Sequence, residues 1–162
     1  MADDLYVLDG DNITHVRGAG SDYIRAREQL VGDVAGFASE AGIDVVLVFD
    51  GEGRGRQIGR VRVVHSGRET ADTVIERLAH RRAGESGSGG AGGVTVVSND
   101  AVLRHVAQRG GVHAMSAREF LDRLGAAPAQ RPAVPETRGR TTLGDTLDPD
   151  VRAALERIRR GE

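Results

Sequence analysis

The sequence predicts an α/β fold in which helices flank a central, mainly parallel β-sheet in three layers. Short apolar runs rich in valine alternate along the 162 residues with segments whose apolar side chains recur at helical spacing. Parallel strands are buried on both faces, so they read as continuous apolar runs rather than as alternating patterns. Alternation of such strands with helices is typical of a parallel sheet, and the chain is long enough to bury one core.

Short apolar runs are predicted to form the strands. They are Leu5–Leu8, Val45–Phe49, Val61–Val64, Val94–Val97 and a weaker run at Val112–Met115. The helices between them are predicted from apolar residues three and four positions apart. These residues are Leu30, Val34, Phe37, Ala38 and Ala41, then Ala71, Val74, Ile75 and Leu78, and then Val102, Leu103 and Val106. A further helix is predicted to begin at the capping box Ser116–Glu119, ahead of Phe120, Leu121 and Leu124.

Residues 1–125 are predicted to form the domain, and the rest of the chain is predicted to be an appendage. The Gly- and Ser-rich segment Glu85–Gly93 has no side chains suited to a core and is predicted to be a mobile loop before the fourth strand. Residues 126–147 contain Pro, Gly and Arg without periodicity, which indicates a linker. Residues 148–162 open with an Asp-Pro pair that is typical of a helix start, so a final helix is predicted there.

The composition narrows the classes of function. The chain has no cysteine, which excludes disulfides, thiolate catalysis and thiolate metal sites, so any metal must bind oxygen or imidazole. No apolar run is long enough to cross a bilayer and the N-terminus has no basic stretch, so we expect a cytoplasmic protein with no membrane partner. The formal charge is −2, so the composition alone does not indicate a protein that binds nucleic acid. All 22 basic residues are arginine.

Acidic residues follow the predicted strands at the positions where a parallel sheet binds ligands. Asp9 ends the first strand, Asp50 ends the second, and Asp100 follows the fourth. Asp72 lies in the first turn of the helix after the third strand, with Glu69 just before that helix. Because ligands bind at the carboxyl ends of the strands in open parallel sheets, we expect these carboxylates to converge on one site.

Converging carboxylates repel one another unless a cation neutralises them. Carboxylate oxygens suit Mg²⁺ or Mn²⁺, and such an ion can orient water and stabilise the leaving group of a phosphodiester. The cluster therefore predicts hydrolysis of a nucleic-acid backbone. The predicted metal ligands are Asp9, Asp50, Glu69, Asp72 and Asp100.

Each of these acids, taken singly, is better explained by turn formation or helix capping, and only their combination favours a site. Asn12 and Ser98 lie beside the acids in sequence and are expected to orient the ligand carboxylates. Asp11 is read either as a further ligand or as a solvated turn residue.

Several stretches of the chain, taken in order, resemble the motifs of the YacP-like NYN domain family, which is related to PIN-domain nucleases. They are Asp9–His15, Val48–Asp50, Ser66–Asp72, Val94–Asp100 and Met115–Phe120. The resemblance implies a PIN-like fold and a metal-dependent endoribonuclease in which Asp9, Asp72 and Asp100 correspond to the catalytic acids. It also implies RNA as the partner, single-stranded or messenger RNA, with cleavage near the ribosome. Asp11 departs from the family pattern, which usually has an aromatic residue there.

Arginines close to the predicted acids are candidates for binding RNA phosphates. Arg54, Arg56 and Arg60 follow Asp50 in a Gly-rich stretch together with Arg62, and Arg68 precedes Glu69. Solvated loop charges explain each arginine equally well. His15 follows the first acidic motif and is a weaker candidate for contact with the substrate. Aromatic residues make up only 3%, which leaves few platforms for stacking bases.

Two other functions stay open from the sequence. The first is a phosphatase of the haloacid-dehalogenase type, with Asp9 as the nucleophile and Asp11 as the acid, since Asp-Gly-Asp follows an apolar strand. The chain lacks the lysine that such an enzyme uses, which speaks against it. The second is a non-catalytic RNA- or ribosome-binding module on a PIN-like fold, against which the joint presence of Asp9, Asp72 and Asp100 speaks.

Overall fold

The computed structural model describes residues 4–86, 93–109 and 112–126. The strands in this part of the chain are β1 (Leu5–Asp9), β2 (Asp44–Phe49), β3 (Arg56–Ile58), β4 (Val61–His65), β5 (Val94–Val97) and β6 (His113–Met115). The helices are α1 (Gly10–Arg17), α2 (Tyr23–Ala41), α3 (Ala71–Ser86), α4 (Ala101–Arg109) and α5 (Ala117–Ala126). Every strand predicted from an apolar run is present, and so is each helix predicted between residues 30 and 124.

The described strands form one mixed sheet in the order β3-β4-β2-β1-β5-β6. All neighbours are parallel except β3, which pairs antiparallel with β4 at the edge. Central β1 pairs with β2 from Leu5 opposite Asp44 to Asp9 opposite Val48. Its other neighbour is β5, so the carboxyl ends of the central strands lie side by side. The prediction of a mainly parallel sheet is confirmed.

Helices cover both faces of the sheet and bury a separate apolar cluster on each. On one face, Leu8 and Leu47 of the sheet pack with Leu30 of α2 and Phe120 of α5. On the other face, Val7 and Val46 pack with Ile75 of α3 and Leu103 of α4. Successive strand residues point to opposite faces, which explains why continuous valine runs serve both clusters. The three-layer arrangement is therefore as the sequence predicts.

Two elements were not predicted. Helix α1 begins directly at Gly10, where the Asp-Gly-Asp-Asn stretch reads as a turn, because Asp9 caps it by accepting a hydrogen bond from the Asn12 backbone N–H at 3.2 Å. Strand β3 lies in the stretch read as a Gly-rich loop and has no apolar run of its own. Its edge position explains this, because an edge strand needs only one hydrogen-bonded neighbour and exposes its side chains.

The boundaries differ at one predicted loop. Glu85 and Ser86, placed in the loop by the sequence, are the last two residues of α3. The remainder of that loop from 87 to 92, the predicted linker after Ala126 and the predicted helix at 148–162 lie outside the described residues. Among the described residues, none of the helices is long and apolar enough to cross a membrane.

Candidate active site

The topology creates a crevice at the carboxyl ends of β1 and β5. From β1 the chain passes over one face of the sheet, through α1 and α2, to β2 on one side. From β4 it returns over the opposite face, through α3, to β5 on the other side of β1. Because the two connections run over opposite faces of the sheet, the loops above β1 and β5 are separated from each other. Open α/β sheets bind ligands at this kind of position, which is called a topological switch point. Asp9 ends β1 and Asp100 follows β5 at this point.

Asp9 is the most deeply buried acid of the site, with 8% of its surface exposed. Its carboxylate accepts a hydrogen bond from the Asn12 backbone N–H at 3.2 Å, and the Ser98 hydroxyl lies 3.5 Å from its other oxygen, which is too long for a strong bond. Burial raises the pKa of Asp9 to about 6, the Asn12 bond opposes this rise, and the charges of Asp72, Asp11 and Asp50 add to it. Asp9 therefore lies within the electrostatic reach of three other carboxylates, those of nearby Asp11 and of the more distant residues Asp50 and Asp72.

Asp72 and Asp100 stand at the starts of two helices that point their N-termini at the crevice. Asp72 lies in the first turn of α3, and partial burial followed by the charges of Asp100 and Asp50 raises its pKa. Asp100 accepts a hydrogen bond from the Leu103 backbone N–H at 3.2 Å, which caps α4. The structure thus brings together Asp9, Asp72 and Asp100, the three acids that the sequence favoured most.

Asp50 joins the same group and also holds the start of α3. One of its oxygens accepts hydrogen bonds from the Ala71 backbone N–H at 2.8 Å and from the Ser66 hydroxyl at 3.2 Å. Ser66 in turn accepts a hydrogen bond from the Gly51 backbone N–H at 3.0 Å. Asp50 therefore fixes the loop after β2 against the helix that carries Asp72.

Asp11 is neither a solvated turn residue nor an isolated acid. One of its oxygens accepts hydrogen bonds from the Arg27 guanidinium and from the Tyr23 hydroxyl, the latter at 2.7 Å. Its other oxygen accepts the Asp50 backbone N–H at 2.6 Å. Asp11 is thus neutralised by Arg27 and ties α1 to the loop that carries Asp50.

Arg27 belongs to this arrangement and was missed in the sequence. Its guanidinium lies 4.6 Å from the centre of the Phe49 ring and 5.0 Å from that of Tyr23, which are cation–π distances. Tyr23 and Arg27 are four residues apart on α2, so they share one face of the helix, and this spacing was the available signal. The signal was weak, because nothing in the sequence shows that this face meets Asp11.

Asn12 and Ser98 support the acids through the backbone. The side-chain oxygen of Asn12 accepts a hydrogen bond from the Asn99 backbone N–H at 3.0 Å, and the Asn99 side chain accepts from the Ala117 N–H, also at 3.0 Å. The buried Ser98 hydroxyl accepts from the Asp100 backbone N–H at 3.1 Å. Asn12 and Ser98 therefore position the loop that carries Asp100, while Asn99 extends this brace to α5.

Glu69 and His15 are not brought to the acids. Glu69 forms a two-pronged ion pair with Arg77, each oxygen 2.8 Å from a guanidinium nitrogen, and this pair lowers its pKa. Its charge is not among those that raise the pKa of Asp9 or Asp72. His15 is exposed in the last turn of α1, about 9 Å along the helix axis from the capping residue Asp9.

The predicted RNA-binding arginines are spread over the molecule. Arg54 and Arg68 are exposed in the loops after β2 and β4, at the same end of the sheet as the acids. Arg56 lies on β3 and pairs with Glu28 of α2 at 2.7 Å. Arg60 lies at the opposite end, because its carbonyl accepts the N–H of Val45 near the start of β2. The expectation that these arginines surround the acids therefore does not hold for Arg60.

The acids offer only hard oxygen donors, which are the ligands that Mg²⁺ and Mn²⁺ prefer. Their mutual effect on pKa is the property that a bound cation would relieve. In the described ranges, no three acidic or histidine side chains already stand close enough to complete a metal site. The chemistry of the donors therefore fits a divalent ion, and side-chain rotations would have to complete its coordination.

Comparison with known proteins gives a family and a fold. The model of the YacP-like NYN domain matches residues 7–160. A crystal structure of Rae1 (YacP) from Bacillus subtilis superposes with a TM-score of 0.61 at 24% identity, covering 98% of this chain and 95% of that one. A single-residue variant of the same protein gives 0.63 at 23% identity, over 96% and 99%. No protein in the curated set matches.

Proposed function

Because the chain belongs to the YacP-like NYN domain family and has its PIN-like fold, it is an RNA-related domain of the nuclease type, and we propose that it is a metal-dependent endoribonuclease. The proposed reaction is hydrolysis of phosphodiester bonds within single-stranded or messenger RNA. The proposed ligands of Mg²⁺ or Mn²⁺ are Asp9, Asp72 and Asp100, with Asp50 beside them.

One observation carries the proposal. Burial raises the pKa of Asp9, at the end of the central strand, to about 6, and the charges of three other aspartates add to the rise. A helix cap needs no such neighbours, and unneutralised carboxylates at close range cost free energy. Strongly perturbed acids grouped in a crevice are typical of functional sites. The grouping is therefore better explained by a cation and a phosphate substrate than by capping alone.

When bound, a divalent ion would supply positive charge for the phosphate oxygens and would lower the pKa of a water molecule. The protein's own contribution is orientation. Asp9 and Asp100 are held by helix caps, and Ser98 fixes the backbone between them. Asp11, neutralised by Arg27, keeps the Asp50 loop in place without adding an unpaired negative charge to the crevice. Preorganised groups of this kind need little rearrangement when the substrate binds.

The experiment that tests the proposal is cleavage of a labelled, mixed-sequence RNA by the full chain in Mg²⁺, in Mn²⁺ and in EDTA. We expect internal cuts in either metal and none in EDTA. The variant Asp100→Asn should cut at least a hundredfold more slowly, because asparagine preserves the cap of α4 but not the charge. The control is Asp122→Asn, which removes an exposed carboxylate on α5 and should cut like the wild type.

The same assay includes purified ribosomes carrying messenger RNA, because cleavage near the ribosome is part of the proposal. Binding of RNA without cleavage under all of these conditions would replace the nuclease with a non-catalytic binding module. Cleavage that persists in EDTA, or that Asp100→Asn leaves unchanged, would show that the acids do not act as proposed.

A further inference from the structure

A second charged feature lies at the opposite end of the sheet from the acids. A cleft of about 430 Å³ opens between α3 and the strands β2, β3 and β4. Its lining includes four arginines, Arg60, Arg62, Arg81 and Arg82, and two acids, Asp44 and Glu85. The cleft therefore carries an excess of positive charge on a protein whose formal charge is −2. We call it the arginine cleft.

The positions of these arginines follow from the geometry of the two elements. Arg62 is in register with Val46, and register partners point to the same face, so Arg62 points to the face covered by α3. The cleft residues of α3 lie along one strip of the helix, because they follow Leu78 at intervals of three, four and seven positions. They are Arg81, Arg82 and Glu85. The helix and the strand thus present arginines to one shared space.

Two of the arginines are already paired with acids and two are not. Arg60 lies 3.2 Å from Asp44, and Arg82 lies 3.7 Å from Glu85. In the described part of the chain, neither Arg62 nor Arg81 forms an ion pair, and both are exposed. Like charges that face each other across a cleft repel unless an anion lies between them. A guanidinium presents a planar fork that suits the oxygens of phosphate.

We propose that the arginine cleft binds backbone phosphates of the RNA, away from the phosphate that is cut. The inference rests on the proposed function. Asp72 and Arg81 are nine residues apart on α3, which is about 14 Å along the helix axis. The same nine residues are two and a half turns, so the two side chains also lie on opposite sides of α3. A single strand of several nucleotides can span the axial distance and the half turn around the helix, so one RNA can reach both the acids and the cleft. Such contacts are independent of sequence, and they fit a chain with few aromatic residues for stacking.

The test measures binding of a labelled, mixed-sequence single-stranded RNA by fluorescence anisotropy in EDTA, at several salt concentrations. The double variant Arg62→Gln/Arg81→Gln should bind about tenfold more weakly than the wild type, because two phosphate contacts are lost. The slope of log affinity against log salt should fall by about 1.4, since each contact with a single strand contributes about 0.7.

The control is Arg25→Gln/Arg118→Gln, which removes two exposed arginines from α2 and α5 and changes the net charge equally. If both double variants bind RNA equally more weakly than the wild type, the effect is one of general charge and the proposal is overturned. The proposal is also overturned if the wild type does not bind RNA. If inorganic phosphate raises the melting temperature of the wild type but not of Arg62→Gln/Arg81→Gln, while both bind RNA alike, the cleft takes small phosphate compounds instead. Since EDTA prevents metal-dependent cleavage, an inactive wild type would contradict the proposed function without affecting this result.

Discussion

Asp9 combines a structural task with the proposed chemical one. It caps α1 as Asp and Asn do at many helix starts, yet it is buried beside three other carboxylates. Asp100 caps α4, and Asp50 accepts a hydrogen bond at the start of α3. Helix capping and a place in the proposed site are therefore compatible explanations for these acids, and the capping contacts are the ones that the structure shows.

Replacing Asp9 by asparagine should stabilise the fold at neutral pH. The pKa of Asp9 is raised from 3.8 to about 6, so the folded state holds its proton more tightly than the unfolded state does. The stability that comes from this proton is present below pH 3.8 and is lost as the pH rises through 6. At pH 7.5 we expect Asp9→Asn to raise the free energy of unfolding by up to about 3 kcal/mol, because asparagine keeps the cap without the charge.

Urea denaturation in EDTA at pH 7.5 and at pH 4 measures this difference, which should nearly vanish at the lower pH. The exposed Asp122→Asn on α5 serves as the control and should change stability little at either pH. A destabilised Asp9→Asn at pH 7.5 would show that the charge of Asp9 is already compensated.

At the scale of the element, the junction between β1 and α1 positions the acids. The chain passes from Asp9 into the helix without a loop, and Gly10 lies against the ring of Phe49. A Cβ atom at Gly10 would lie 2.5 Å from Phe49 Cε1, and the ring is held in turn by Arg27. Glycine is therefore required here for close packing rather than for an unusual backbone angle.

The substitution Gly10→Ala should destabilise the protein by about 1–3 kcal/mol, because the buried Phe49 ring has to move. The matched control is Gly36→Ala on α2, where a Cβ atom meets nothing within 4 Å. That change should stabilise the protein by about 0.5–1 kcal/mol through helix propensity. Thermal unfolding of both variants gives the comparison, and an unchanged melting temperature for Gly10→Ala would disprove the tight contact.

At the scale of the whole molecule, four separate segments of the chain bring the acids together. Asp9 ends β1, Asp50 follows β2, Asp72 lies in the first turn of α3 and Asp100 precedes α4. The unfolded chain does not hold these acids together, so a cation that binds all of them binds the folded state preferentially. Binding and global stability are therefore linked in the proposed function.

Mg²⁺ or Mn²⁺ should raise the melting temperature of the wild type, by an amount equivalent to about 2.7 kcal/mol when the ion is at a hundred times its Kd. The variant Asp72→Asn should lose most of this gain, because one of the carboxylates that attracts the cation is gone. The exposed Asp122→Asn should keep it. Scanning calorimetry in metal and in EDTA measures the gain, and equal gains in all three proteins would contradict a site at these acids.

The sequence by itself determined the parallel strands of the sheet, most of the helices and the grouping of Asp9, Asp72 and Asp100. Valine runs and apolar spacing are local patterns, and the carboxyl ends of parallel strands meet whatever the details of packing. The capping box at Ser116 is local too, and the structure confirms it, with the Glu119 carboxylate 2.7 Å from the Ser116 backbone nitrogen. For this reason Asp9, Asp72 and Asp100 could be grouped before the structure was known.

Only the tertiary structure decided which charged residues meet. Contacts between distant elements pair Arg27 with Asp11 and Glu69 with Arg77. They also place Arg60 at the far end of the sheet. Charged side chains are long and exposed, so they leave no periodic pattern in the sequence that shows their partners. Apolar burial fixes the fold through many redundant contacts, whereas each ion pair depends on the final position of two particular side chains.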